Sequence, residues 1–185
     1  MHFSVAFVLS AFALISPVLS EVCPGQVTLS ETYIGVDKNV KVETVSCPEG
    51  ALTRRSDLVS RQASPVTNVC GAQCNTFCFT PSGGGPDPNE CHVIADALRY
   101  DSQNIGSTFT INNGTTGNIV LMTYNSCESF FVNQINGLLE YCRLDWASVL
   151  DFVAPNCQST QNAHGGDCLA SDGTWFIQWV FLWLL

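Results

Sequence analysis

The stretch CGAQCNTFCFTPSGGGPDPNECHVIADAL, residues 70–98, combines the features that decide the fold. Three cysteines recur at every fourth position, and a loop rich in proline and glycine follows them. Beyond the loop, ECHVIADALRYDSQ places its apolar residues on one face at helical spacing, and Asn89 is predicted to cap this helix. Cys91 in the first turn predicts a covalent bridge that holds the helix to its neighbours.

The chain contains ten cysteines, and this even number predicts disulfide bonds. The alternative is a metal site, suggested by the regular spacing of the first three cysteines in residues 70–98. Zinc sites need a second pair or histidines to complete a tetrahedron, and His92 and His164 show no paired spacing. The sequence therefore predicts no metal and no cofactor. The predicted disulfide cysteines are Cys23, Cys47, Cys70, Cys74, Cys78, Cys91, Cys127, Cys142, Cys157 and Cys168.

The first twenty residues, MHFSVAFVLSAFALISPVLS, predict a signal peptide that is removed on secretion. Their apolar core spans residues 5–15, which is shorter than the roughly 20 residues that a retained membrane anchor needs. The sequence thus predicts a secreted, extracellular protein.

The charge of the chain is uneven. From residue 62 onward there are ten acidic residues against Arg99 and Arg143, which leaves a net charge near −8. Binding of phosphate backbones depends on Lys and Arg, so nucleic acid and anionic membrane surfaces are poor partners for this region. An alternative role for the acidic residues is simply a soluble, solvated surface.

Residues 21–50 form a small N-terminal segment with two β-like stretches, VTLSETYIGV and NVKVETVSC. Residues 51–65 follow as a polar linker that contains the dibasic pair Arg54 and Arg55. A processing protease could cut at this pair, which would make the front segment a pro-piece with its own Cys23–Cys47 bridge. The alternative, a merely solvated linker, stays open.

The cysteine-rich domain is predicted over residues 66–180. After the first helix, STFTI and NIVLMTY form a hairpin around NNGTTG, and ESFFVNQ is a third strand. RLDWASVLDFVAPN predicts a second helix, which Pro155 ends. Its apolar stripe is predicted to contain Leu144, Ala147, Leu150 and Val153 or Ala154. A last hairpin turns at residues 172–173 into TWFIQWV. The predicted fold class is α+β: a small disulfide-stapled antiparallel sheet with two helices packed on it.

The final residues 181–185 extend an apolar run beyond what the last strand needs. This run is too short to cross a membrane, and no polar spacer marks it as a lipid-anchor signal. We therefore expect no stable membrane insertion and interpret residues 181–185 as a tail of doubtful origin, such as an erroneous chain end.

Catalytic motifs are missing from the sequence, which predicts that the protein is not an enzyme. The chain has no G-x-S-x-G, no H-E-x-x-H and no phosphate-binding glycine loop. The carboxylates Glu140, Asp145 and Asp151 are candidates for glycoside hydrolysis, but their spacing does not place a pair on one helical face. Asp145 is more simply explained as a helix-start residue.

Aromatic residues offer a binding site instead, because their rings can stack on sugars while neighbouring amides and carboxylates take the hydroxyls. Most such rings belong to cores, and Trp175 and Trp179 are expected on the buried face of their strand. Trp146 beside Asp145 is the best exposed candidate, and a loop histidine could add a contact. The candidate glycan-binding residues are Trp146, Asp145, Tyr141, Tyr124, Asn125 and His164.

Asn113 begins the sequon Asn113-Gly114-Thr115 in a turn-rich loop. This position predicts a surface glycan on a secreted chain.

The order CNTFCF, PDPNECHVIADAL, YNSCESFFVN, LEYCRLDW and HGGDCLASDGTWFIQ resembles the small, secreted, glycan-binding Y3-like domains of mushroom-forming basidiomycete fungi. The resemblance covers residues 70–178 and implies non-enzymatic recognition of a glycan, such as a chain that bears N-acetylhexosamine. A similar rhythm occurs in fungal cysteine-rich effectors of the necrosis-inducing kind. The sequence thus predicts a secreted lectin-like protein, with an effector or toxin-like protein as the alternative and a glycoside hydrolase third.

Overall fold

The structure is a computed structural model that describes residues 21–48, 66–112 and 117–181. The predictions for residues 1–20, for Arg54 and Arg55, for Asn113 and for residues 182–185 lie outside the described residues. The described elements are β1 (Val27–Ile34), β2 (Val40–Ser46), β3 (Thr67–Asn68), β4 (Cys74–Cys78), α1 (Pro88–Asn104), β5 (Thr108–Ile111), β6 (Ile119–Tyr124), β7 (Cys127–Asn133), β8 (Leu139–Cys142), α2 (Arg143–Asn156), a 3-10 turn (Ser159–Gln161), β9 (Gly165–Ala170) and β10 (Trp175–Phe181).

Seven of the strands form one antiparallel sheet in the order β1-β2-β6-β7-β10-β9-β4. The strands β3, β8 and β5 form a second, smaller sheet in that order. The helices α1 and α2 pack against each other and against the large sheet. This architecture confirms the predicted α+β fold with two helices on a disulfide-stapled antiparallel sheet.

Both faces of the large sheet bury apolar side chains. On the helix side, Phe131 and Trp179 belong to the main core together with residues of α1 and α2. On the opposite side, Phe130 and Val132 form a second cluster with residues near the N-terminal disulfide. Because alternate residues of a strand point to opposite faces, β7 is buried along its whole length. The predicted burial of Trp175 and Trp179 is confirmed.

Helix α1 begins two residues earlier than expected, at Pro88 rather than at Glu90. Its N-cap is Asp87, whose Oδ1 accepts the backbone N–H of Asn89 at 2.9 Å. The prediction that Asn89 caps the helix is therefore wrong. Pro88 occupies the first turn, where a missing N–H costs nothing, and this places the cap directly before it.

Helix α2 has the predicted bounds, and Val153 and Ala154 are buried as expected, but Trp146 rather than Leu144 belongs to its buried stripe. Ala147 and Leu150 are fully buried, whereas Leu144 is 48% exposed and does not belong to the stripe. Pro155 lies within the last turn, and the helix ends one residue later at Asn156.

The predicted hairpin of STFTI with NIVLMTY does not form. Strand β5 pairs with β8 in the small sheet, while β6 lies between β2 and β7 in the large one. Turn-rich residues between two strands do not decide whether those strands pair with each other, because each strand also competes for other partners.

All ten cysteines are paired, which confirms the predicted disulfides. Four bridges join elements that are 36 to 94 residues apart, and the fifth closes the N-terminal segment. Such a density of disulfides is typical of extracellular proteins. No helix in the described ranges is long and apolar enough to span a bilayer. The pairs are Cys23–Cys47, Cys70–Cys142, Cys74–Cys168, Cys78–Cys157 and Cys91–Cys127.

Candidate functional site

Two of the six predicted site residues lie in the core. Trp146 is 0% exposed and Tyr141 is 1% exposed, so neither ring can stack on a ligand. The indole Nε1 of Trp146 donates to the Ser129 hydroxyl at 2.9 Å, which satisfies its polar atom inside the protein. The ring of Tyr141 lies 5.0 Å from that of Trp175, and burial raises the pKa of the Tyr141 hydroxyl. The interpretation of Trp146 as an exposed binding residue is therefore wrong.

Asp145 lies in the first turn of α2, and its role there is structural. Its Oδ2 accepts the backbone N–H of Gly71 at 2.6 Å, which ties the segment before β4 to the helix. Asp145 also lies close to the sulfur atoms of Cys70 and Cys142. These two sulfurs are bonded to each other, so neither is a thiolate that could bind a metal ion.

The remaining predicted residues, Tyr124, Asn125 and His164, lie at one end of the large sheet. Strand β6 ends at Tyr124, opposite the start of β7, and β9 begins at Gly165, directly after His164. From β6 through β7 and β10 to β9 there are three interstrand spacings, or about 14 Å. The structure thus brings half of the predicted residues to one edge of the molecule.

A tight turn presents Asn125 at this edge. Asn125 has φ +48°, a left-handed conformation that asparagine tolerates better than most residues. Its Nδ2 donates to Glu90 Oε1 at 3.1 Å, and the backbone N–H of Ser126 donates to Glu90 Oε2 at 2.8 Å. The hydroxyl of Ser126 also donates to Glu90. Because these hydrogen bonds favour the ionised carboxylate, with the Ser126 hydroxyl contributing most, they lower the pKa of Glu90.

His164 contacts the loop between β4 and α1. Its Nδ1 lies 2.7 Å from the carbonyl oxygen of Pro81. Since a carbonyl oxygen can only accept, Nδ1 carries the hydrogen, and the Nε2 of the neutral ring is an acceptor. The ring centroids of Phe79 and His164 lie 6.1 Å apart, and His164 is half-buried.

We define the loop rim as residues 80–87, 124–126 and 162–164, because hydrogen bonds join these segments along the edge. At one end, the backbone N–H of Ser82 donates to Asn162 Oδ1 at 3.0 Å. In the middle, Nε2 of Gln158 donates to the carbonyl of Pro86 at 3.2 Å. At the other end, the backbone N–H of Asp87 donates to Ser126 Oγ at 3.0 Å. The loop therefore connects the histidine side of the rim to the asparagine side.

Disulfides hold the loop on both sides. Cys78, two residues before it, is bonded to Cys157 at the end of α2. Cys91, in the first turn of α1, is bonded to Cys127 at the start of β7. With both ends fixed covalently, a ligand that binds the loop has little conformational entropy to remove.

The three glycines of the loop differ in their surroundings. A Cβ at Gly83 would lie 3.1 Å from the Cβ of His164, and a Cβ at Gly85 would lie 3.2 Å from Gln158 Oε1. A Cβ at Gly84 would meet nothing within 4 Å. Gly83 and Gly85 thus allow the close approach of the loop to its supports, whereas Gly84 exposes its backbone to solvent.

The carboxylates that suggested hydrolysis have separate structural partners. Glu140 accepts from Asn68 Nδ2 at 2.8 Å and from Thr108 Oγ1 at 2.7 Å. Asp151 in α2 accepts hydrogen bonds from two residues of α1, from His92 at 2.7 Å and from Arg99. Burial alone would raise the pKa of Asp151, but these two partners outweigh it and the pKa is lowered. A lowered pKa suits a bridge between helices rather than a proton donor.

Sequence reasoning missed four residues whose hydrogen bonds hold the rim segments in place: Glu90, Ser126, Gln158 and Asn162. Only the loop glycines carried a signal, because three consecutive glycines between prolines indicate a close backbone approach. The long-range partners could not be read from the chain.

A scan against models of known protein families finds no match for this chain, and a search of curated proteins finds none either. The resemblance to the glycan-binding fungal family thus stays a prediction.

Proposed function

We propose that the protein is a secreted, non-catalytic glycan-binding protein and that the loop rim is its binding site. One observation carries the proposal: an exposed glycine loop, fixed at both ends by disulfides, connects His164 to Asn125 along a single edge. This edge offers backbone N–H groups, an imidazole acceptor and side-chain amides. Such groups match the hydroxyls and acetamides of a neutral sugar chain.

The net charge of the protein supports a neutral ligand. The whole chain carries −9, the rim itself includes the carboxylate of Asp87, and the carboxylate of Glu90 accepts hydrogen bonds from the rim residues Asn125 and Ser126. Phosphate and sulfate groups would be repelled by this charge, whereas uncharged hydroxyls and acetamides would not. The rim extends over about 14 Å, so we expect it to contact more than one sugar ring.

A glycan array with the disulfide-intact protein tests this function. We expect binding to chains that bear N-acetylhexosamine. A blank array at high micromolar protein would contradict the proposal, and a blank array together with damage to plant or fungal cells would favour the effector interpretation instead.

Two glycine variants test the location of the site. The Gly84→Gln variant adds a side chain to the rim where nothing lies within 4 Å, so the fold should tolerate it. The Gly106→Gln variant is a matched control, because Gly106 also has nothing within 4 Å and follows the far end of α1. We expect at least a tenfold loss of glycan affinity for Gly84→Gln and no change for Gly106→Gln, by titration calorimetry. Equal affinities would place the site elsewhere.

A further inference from the structure

The N-terminal hairpin, residues 22–47, has no covalent link to the rest of the fold except through the chain itself. Its Cys23–Cys47 bridge closes the hairpin on itself. The other eight cysteines pair among themselves between Cys70 and Cys168. Four bridges therefore stabilise the main unit, and none of them holds the hairpin in place.

The hairpin completes the large sheet through one strand. β2 pairs antiparallel with β6, from Lys41 opposite Thr123 to Val45 opposite Ile119. The other strand, β1, lies at the edge of the sheet and is exposed along most of its length. The contact between hairpin and main unit thus depends chiefly on β2.

Two valines of β2 enter the core on opposite faces of the sheet. Val40 is 0% exposed and packs in the main cluster on the helix side. Val45 is also 0% exposed and packs with Ile119 and Leu121 in the second cluster. Without the hairpin, β6 would present an open edge with an apolar surface on each side, a form of edge that attracts another strand.

The turn of the hairpin fits closely against α1. Gly35 has φ +88°, and a Cβ at this position would lie 2.9 Å from the Cβ of Ala97. Its backbone N–H donates to the buried Asp101 Oδ1 at 3.4 Å. The edge of β6 and this part of α1 therefore form a docking surface whose shape matches this hairpin. We call this surface the acceptor.

We propose that the hairpin is exchangeable and that the acceptor of one copy takes the hairpin of a second copy, which gives a reciprocal dimer. A second copy supplies the same β2, the same valines and the same turn, so every contact made within one chain is available between two. Seventeen residues, 49–65, join the hairpin to the main unit, and a chain of that length reaches up to about 60 Å when extended. Exchange requires that β2 separates from β6, that Val40 and Val45 leave the core and that the turn leaves α1. This local opening breaks no disulfide.

A dimer formed in this way carries two loop rims. Two linked sites bind a surface that displays many glycans more tightly than one site, without any new contact. The exchange itself stands apart from the proposed glycan function and is tested without a ligand.

Cysteine variants detect the exchange covalently. Thr44 lies opposite Val120 in the register of β2 and β6. A Thr44→Cys variant mixed with a Val120→Cys variant forms a bridge between positions 44 and 120 of two chains only if the hairpin of one docks on the other. We expect this mixed dimer, identified by peptide mapping without reduction, in an amount that rises with concentration. Thr32→Cys replaces Thr44→Cys as the matched control, because Thr32 lies in β1, away from β6.

A second measurement keeps the test valid if the added cysteines disturb folding. Unaltered protein and its ¹⁵N-labelled form are mixed at high concentration, opened briefly with mild denaturant and then returned to buffer. Native mass spectrometry should show dimers of intermediate mass. Monomers alone at every concentration, or cross-linking of the Thr32→Cys control as fast as that of Thr44→Cys, would overturn the proposal.

Discussion

At the scale of single residues, the identity of a side chain did not reveal whether it is exposed. Trp146 follows a carboxylate in a polar context, yet its ring is fully buried and its Nε1 is satisfied by Ser129. The hydroxyl of Ser129 comes from β7, seventeen residues away in sequence. Aromatic rings with a polar atom suit both a core and a sugar site, so only the position of that partner separates the two roles.

Replacing Trp146 by phenylalanine tests its structural role. The Trp146→Phe variant loses the hydrogen bond to Ser129 and leaves a small cavity, so the free energy of unfolding should fall by about 2–3 kcal/mol. Glycan affinity should stay the same, because the ring does not reach the rim. Denaturant unfolding and calorimetry on the same sample measure both effects; a variant of normal stability that no longer binds glycan would restore Trp146 to the site.

Glu90 gives the rim a dependence on pH. Its pKa in the folded protein lies below 4.5, so its stabilising contribution is complete above that value and is lost as the pH falls through the folded pKa. The Glu90→Gln variant should therefore be less stable than the original by about 0.5–1 kcal/mol at pH 7, a modest figure because solvent screens the half-exposed carboxylate. The difference should shrink below pH 4.5.

Thermal unfolding at pH 7, 5 and 3 measures this trend. Glu21→Gln removes the same charge from an exposed position and serves as the control. A difference in unfolding temperature between Glu90→Gln and the original protein that stays constant down to pH 3 would contradict a lowered pKa for Glu90.

At the scale of elements, periodicity predicted helices and strands better than it predicted their partners. The apolar repeat in residues 143–156 gave the bounds of α2, and alternation in residues 175–179 gave the buried tryptophans of β10. The partner of β5 was not predictable, because β6 follows it in sequence but pairs with β2 and β7. The short strand β4 was missed, since its cysteines suggested only bridges. The loop rim depends on such long-range pairings. The sequence therefore indicated its glycines and the candidates Tyr124, Asn125 and His164, but not the residues that join its segments.

Gly35 shows how closely the hairpin fits. An alanine at position 35 would be strained by its positive φ and would press on Ala97, so the free energy of unfolding should fall by about 2 kcal/mol or more. Gly173→Ala is the matched control, because φ is +72° there but nothing lies within 4 Å. This control should lose only about 1 kcal/mol from strain.

Hydrogen exchange locates the effect of Gly35→Ala. Amides of β2 and β6 should exchange faster, while those of β9 and β10 keep their protection. Equal loss of stability in the two glycine variants would show that the turn does not press on α1.

At the scale of the whole molecule, disulfides divide the chain into a fixed unit and an attached hairpin. Four bridges hold the two helices and the strands around the loop rim, whereas the hairpin is bonded only to itself. This division is compatible with both proposals, a stiff binding edge in the fixed unit and an exchangeable hairpin.

Removing single bridges should have distinct effects. The double variant Cys78→Ser with Cys157→Ser frees the loop rim from α2, and we expect a loss of about 3 kcal/mol in stability together with weaker glycan binding. The double variant Cys23→Ser with Cys47→Ser should weaken only the hairpin and leave glycan affinity unchanged. Unfolding curves and calorimetry compare the two variants; unchanged binding in the first would mean that the bridge does not organise the site.

The pairing of the cysteines is the claim on which the rim and the hairpin both depend. Peptide mapping of the unreduced, naturally produced protein by mass spectrometry measures it directly. We expect the pairs Cys23–Cys47, Cys70–Cys142, Cys74–Cys168, Cys78–Cys157 and Cys91–Cys127. A bridge from Cys23 or Cys47 to any later cysteine, or several free thiols in the native protein, would contradict the account.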